Sequence, residues 1–496
     1  MRRRPSISEW WSTSCVVADR RIFCLVMASG AILLRLADHS RDLPPPPAGD
    51  VSAVWRPLHE MRAEHKRGAN AFDQWLRSRF EVGEDDGADG GGIIWSKFVD
   101  KMVAFEGLFH HLPTFLAYHT LLFTHLSLPP CPVPHIELRM CPFTPYVLPS
   151  DNTASLGLTH PISATLTFSH AMAALSRHIS SLPAGRPSVR LIYAVPRSAI
   201  TSWHDLASHL DEFTALRSTC PALFAGFDVV GADSAAGWSL PEFLPRAYET
   251  IPEIVESTKY FWHAGQELES CASRQGWANL ETAVGGVHVG QGKKVGRAVR
   301  VGHGCLACAV RGGNMAGGAE DTPAVFAPPS SAVDLLSAYL DPASSSSLSV
   351  SAEPLPRLCL ESQPISNHLF LGIRDWASEW SHLPTAVHKS FTSPSSITAQ
   401  TLSVVIGPDD PACWGLGATG SRATNLTGWD LVYVAVAFPW GRGGGDIGVT
   451  LLEALERVAR WSVEWPEVGG EAEKRELTER WEGLWERWVE GVAALA

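Results

Sequence analysis

The sequence predicts an α/β fold of the (β/α)₈ barrel type, with loop insertions and extra C-terminal helices. Eight short apolar runs recur along the 496 residues, helix-length stretches separate them, and polar motifs close several of the runs. The runs fall at 30–36, 135–139, 189–195, 223–230, 259–263, 298–302, 357–361 and 402–406. They are near-continuously apolar, as suits strands of a parallel sheet covered on both faces. Every gap is long enough for a crossover, and none reads as a hairpin turn. Eightfold strand–helix repetition favours a closed barrel, and a doubly wound open sheet is the alternative.

The first run ends a stretch, 22–36, that follows Arg20-Arg21 and imitates a signal peptide. It is too short to span a bilayer. It reads instead as the first buried strand, leaving 1–28 as an atypical N-terminal segment and placing the barrel domain at 29–496. Four prolines at 44–47 form a stiff connector, and 84–92 is acidic and glycine-rich. Between the third and fourth runs, Trp203, Leu206, Leu210, Phe213 and Leu216 recur at helical spacing. A low-complexity insertion at about 311–356, with serines at 344–347, separates the sixth and seventh runs. Two amphipathic helices are expected at 451–465 and 471–492. Leu452, Leu455, Val458 and Trp461 share a face of the first, and Trp481, Leu484, Trp485, Trp488 and Val489 mark the second. Such stripes read as packing surface. No transmembrane segment is visible.

Composition narrows the function. A 45% hydrophobic content is ample for a large core. The net charge of −12, with no basic stripe beyond Arg2-Arg3-Arg4, argues against a nucleic-acid partner. Ten cysteines in this length do not make a disulfide scaffold. Cys305 and Cys308 form a lone C-x-x-C, which reads as two thiols in the absence of a second pair.

In a barrel, catalytic groups gather at the C-terminal ends of strands. Tyr260-Phe261-Trp262-His263-Ala264-Gly265 closes the fifth run, Arg300-Val301-Gly302-His303-Gly304 the sixth, and Gly407-Pro408-Asp409-Asp410-Pro411 the eighth. Singly, these read as a core histidine, a tight turn and a loop-initiating turn. Jointly, two imidazoles and a carboxylate pair from separate strand ends suit a hydrolytic metal.

Further motifs keep the same order: Trp95-Ser96-Lys97-Phe98, Glu137-Leu138-Arg139, Gly226-Phe227-Asp228-Val229-Val230-Gly231, and Glu361 with Pro364-Ile365-Ser366-Asn367. On these residues the chain resembles the adenosine deaminases, in particular the adenosine deaminase-related growth factor branch and its fungal members. The matches run from about Trp95 to Trp488. The resemblance implies a zinc-bearing (β/α)₈ barrel that hydrolyses adenosine or 2′-deoxyadenosine to inosine (or deoxyinosine) and ammonia. It makes His263 and Asp409 metal ligands. His303 would hold and deprotonate the attacking water, Asp410 would orient it, and Gly231 and Asp233 would lie against the purine. One zinc per chain is expected, since a bound metal lowers the pKa of its water toward neutrality.

Two positions depart from the family pattern. The family's first strand ends in His-x-His, two zinc ligands on one face; here Leu34-Arg35-Leu36 stands in its place, and leucine cannot bind zinc. Asp38 and His39 follow it. At Gln266 the family has the glutamate that protonates the purine ring, and glutamine cannot deliver that proton. Losing a general acid typically costs about 10²–10⁴-fold. Alternative readings are therefore a nucleoside-binding or growth-factor-like protein without turnover, and an amidohydrolase acting on another nucleobase. The resemblance implies secretion, whereas a first strand within 22–36 leaves no signal peptide. His135-Ile136-Glu137 and Cys305–Cys308 mimic fragments of a second zinc-deaminase signature, but lie far apart and lack its proline.

Overall fold

The computed structural model describes residues 33–35, 55–57, 135–142, 167–183, 186–231, 237–265, 274–290, 292–304, 357–363, 402–407, 451–466 and 470–493. Single positions at 63, 68, 71, 112, 115, 116, 119, 120, 123, 233 and 339 complete the description. Two units emerge: Met1–Pro134, Pro142–Ser188 and Asp409–Leu426 in one, His135–Cys141, Val189–Pro408 and Thr427–Ala496 in the other.

In the first unit, β1 (Leu33–Arg35) pairs antiparallel with β2 (Trp55–Pro57). A strand is therefore present within the expected run 30–36, but its described pairing is not the parallel one expected of a first barrel strand. Helix α1 (Phe168–Ser181) starts where the Thr167 hydroxyl accepts from the His170 amide, 3.3 Å away, as an N-cap should. Phe168, Ala171, Met172 and Leu175 lie at i, i+3, i+4 and i+7 and are buried.

The second unit is built on parallel strands. They are β3 (His135–Met140), β4 (Ser188–Pro196), β5 (Phe224–Val230), β6 (His263–Ala264), β9 (Arg300–His303), β10 (Leu358–Ser362) and β11 (Leu402–Ile406). Hydrogen bonding orders them β3-β4-β5 and β6-β9-β10-β11, and the pairs β4–β5, β6–β9, β9–β10 and β10–β11 are parallel. Parallel bridges from Phe227 to Tyr260 and from Tyr260 to Ala298 link the two sets. Neighbours in this row follow chain order without reversal, unlike a doubly wound sheet, whose order reverses at its switch point. Six of the seven expected strands from 135 to 406 closely overlap one of these, while the run 259–263 shares only His263 with β6 and otherwise pairs through isolated bridges at Tyr260.

Between them run helices of the expected kind. Helix α2 (Trp203–Thr219) opens with a capping box, in which Ser202 and Asp205 satisfy each other's backbone amides. Its Leu206, Leu210, Phe213 and Leu216 are buried, as their spacing predicts. Phe213 meets Phe227 edge to face at 5.9 Å, while Phe227 stacks on Tyr193 at 5.7 Å. Helices α3 (Leu240–Thr250), α4 (Pro252–Ser257) and α5 (Arg274–Gly285) follow. The gap before β9 departs from expectation, because it carries an antiparallel hairpin, β7 (Val287–Val289) with β8 (Lys293–Val295). Gly290 (φ +52°) and Gly292 (φ +86°) supply the left-handed turn that joins them. The C-terminal helices α6 (Leu451–Glu464) and α7 (Glu471–Ala493) match the expected spans. Trp461 is buried, and Trp481 and Trp485 stack half-buried at 5.9 Å. Among the described residues no helix is long and apolar enough to cross a membrane.

Candidate functional site

Successive residues of a strand point to opposite faces. On β5, Phe227 packs against α2, so Asp228 points the other way, where it meets His263 and Arg139. The Asp228 carboxylate accepts from the His263 backbone amide at 2.9 Å, shares a hydrogen bond with His263 Nδ1 at 2.8 Å, and accepts from Arg139 Nε at 2.6 Å. Asp228 is fully buried. Burial alone would raise its pKa, but the charges of His263 and Arg139 outweigh that and hold it well below the usual carboxylate range.

His263 and His303 end adjacent parallel strands, with their rings 5.1 Å apart and tilted 62°. With Nδ1 committed to Asp228, His263 has Nε2 left for other chemistry; a carboxylate on the far nitrogen is how proteins orient ligating imidazoles. Gly302 makes room for this ring, since a Cβ there would lie 2.9 Å from His263 Nδ1. His303 adopts φ +59°, and it is the one non-glycine residue with positive φ among those described. That conformation costs about 1–3 kcal/mol and concentrates at functional sites.

Beneath the two histidines the interior is charged. Arg139 also bonds Glu361 of β10, and Arg300 bonds Glu361 at 2.7 Å and Glu137 at 2.5 Å. Burial would raise the Glu361 carboxyl, but Arg139 and Arg300 draw it below its ordinary value. Thus side chains from β3, β5, β9 and β10 meet in one buried network, and every arginine in it has two carboxylate partners.

Gly231 (φ +102°) and Asp233 meet at a residue that the motifs did not single out, Arg197. Its guanidinium, 2% exposed, donates to the carbonyls of Gly231 and His263 and lies 3.0 Å from Asp233. It therefore ties the ends of β4, β5 and β6 together. An arginine directly after the apolar run Ile192–Val195 was the available signal, since such a charge must find partners at the strand ends.

Of the expected site residues, the structure brings together His263 with His303, and Gly231 with Asp233. Gln266, Asp409 and Asp410 lie outside the described residues, as do Leu36, Asp38, His39, Cys305 and Cys308. Among the described residues no group of three His, Cys, Asp or Glu side chains could hold a metal ion. The chain matches no family model and no curated protein.

Proposed function

We propose that this chain is an adenosine-deaminase-like hydrolase whose parallel strands close into a (β/α)₈ barrel. Closure is supported by the unreversed strand order and by Arg139 and Glu137 of β3 reaching Glu361 of β10 and Arg300 of β9, several strands away in the row. The observation that carries the activity is the Asp228-held His263 beside His303, at the C-terminal ends of neighbouring strands. That is the end at which barrel enzymes place their chemistry.

The residues fit a zinc ion in part. His263 offers an imidazole and Asp409 would add a carboxylate, but Leu34 and Leu36 supply no donor, and catalytic zinc sites generally have three protein ligands. In the proposed reaction His303 takes a proton from a water that Asp410 orients. The hydroxide so formed bonds to the purine carbon bearing the amino group, His303 returns its proton to that group, and the carbon–nitrogen bond breaks to release ammonia. Gln266 can donate a hydrogen bond to the ring without transferring a proton, and Gly231 and Asp233 lie at the purine edge.

A second reading, a nucleoside-binding protein without turnover, is favoured by Leu34, Leu36 and Gln266. Zinc content and inosine formation on one purified sample separate the two. About one zinc per chain with inosine released, and turnover reduced about 10²–10⁴-fold by His303→Ala, supports the hydrolase. A folded protein that binds adenosine with neither zinc nor product is the binder. One that does not bind adenosine overturns both.

A further inference from the structure

The parallel strands have a second end, and a cavity of about 530 Å³ opens there. Lys259 precedes the Tyr260 bridge, Arg297 precedes β9 and Arg357 precedes β10, so these three cations stand where strands begin. His263 and His303 stand where strands finish. Among the described residues the remaining wall comes from the end of α6 and the start of α7, with Glu464, Trp465, Glu471 and Lys474. We propose that this cavity binds a small molecule bearing phosphate, at a site separate from the paired histidines.

Charge is the first argument. Among the described residues four cations and two carboxylates line the cavity, in a chain whose net charge is −12. One of the carboxylates, Glu464, already faces Arg357 at 3.5 Å. A local excess of positive charge against the sign of the whole chain focuses anions into the cleft.

Geometry is the second. The Arg357 guanidinium lies over the Trp465 ring, 4.8 Å from its centroid. A guanidinium held flat in this way has lost little further freedom when it forks onto phosphate oxygens. Arg297 is anchored by the Val284 carbonyl at 3.0 Å, the Tyr339 hydroxyl at 2.7 Å and the Arg357 carbonyl at 3.2 Å. The 23-residue α7 begins here as well, bringing the positive end of its dipole. The volume lies within the range of pockets for small organic ligands, about 300–1,000 Å³, and is large for a bare ion.

Pyrophosphate is the probe. The full chain is titrated with it by calorimetry, with ionic strength held constant by sodium chloride. The expected result is saturable binding near one site per chain, weakened at least about tenfold by Arg357→Gln and by Lys474→Glu. Lys474→Gln stands in if the charge reversal fails to fold. Lys294→Glu removes an exposed cation outside the cavity and is expected to bind as the parent does. Absence of saturable heat overturns the proposal. So does an equal loss in Lys294→Glu, because pyrophosphate would then be reading the general surface field.

Discussion

Buried histidines in this chain differ by what their ring nitrogens meet. His263 has a carboxylate, and its ring is held for use. His119 has the Phe115 carbonyl at 2.8 Å and lies between the rings of Phe115 and Phe123, 4.4 and 5.8 Å away. Burial, helped by the nearby His178, therefore lowers its pKa to about 4, against a smaller raising effect of the Phe115 carbonyl. The unfolded chain binds this proton near pH 6.5 and the folded chain does not until about pH 4. Stability is thus whole above pH 6.5 and falls as pH drops through that window, by roughly 3 kcal/mol in all at about 1.4 kcal/mol per unit. His119→Phe is expected to flatten urea-unfolding stability between pH 6.5 and 4, relative to the parent. An unchanged slope would place the proton elsewhere. At this scale the strand-end motifs exposed His263 and His303, because a histidine closing an apolar run stands out, while Gly231 and Asp233 came only with the family resemblance. The motifs missed Arg197, and they could not show that Asp228 is the partner of His263. That pairing joins residues 35 apart and exists only once β5 lies beside β6.

Local elements were the most legible part of the sequence, because apolar periodicity is a local signal. The 203–217 pattern becomes α2 with the expected buried face, and the strand at 402–406 has the expected bounds. The hairpin Val287–Val295 was overlooked because its strands are short and its turn residues were read as part of a crossover. Gly290 and Gly292 were the signal for it. Helix starts were legible in principle as well. Ser202 followed by Asp205 is a capping pair, with both the Ser202 amide and hydroxyl directed at the Asp205 carboxylate, 2.9 and 3.0 Å away. Removing the cap exposes an orphan amide at the helix start, so Ser202→Ala is expected to lower stability by about 1 kcal/mol. Urea denaturation monitored by circular dichroism measures this as a shift in midpoint at constant slope. A change below about 0.3 kcal/mol would mean that water satisfies the Asp205 amide as well as the Ser202 hydroxyl does.

At the scale of the whole second unit the decisive contacts join residues far apart in sequence, which no local pattern could reveal. Arg139 and Glu361 are 222 residues apart and share a part-buried hydrogen bond. They belong to β3 and β10, which are separated in the row by β4, β5, β6 and β9. An extended row would hold such strands several interstrand spacings apart, at about 4.8 Å each. A direct contact across that interval requires the row to curve back on itself, which is why this pair tests the proposed barrel. Arg139→Met leaves Glu361 with Arg300 alone and Glu361→Gln leaves Arg139 with Asp228 alone, so each is expected to cost about 1–3 kcal/mol. If the two residues touch, the second substitution finds the contact already gone. The double variant then loses about 1–3 kcal/mol less than the sum of the singles. Additivity within about 0.5 kcal/mol would mean that they share no contact in solution, and the curved interior would have to be abandoned.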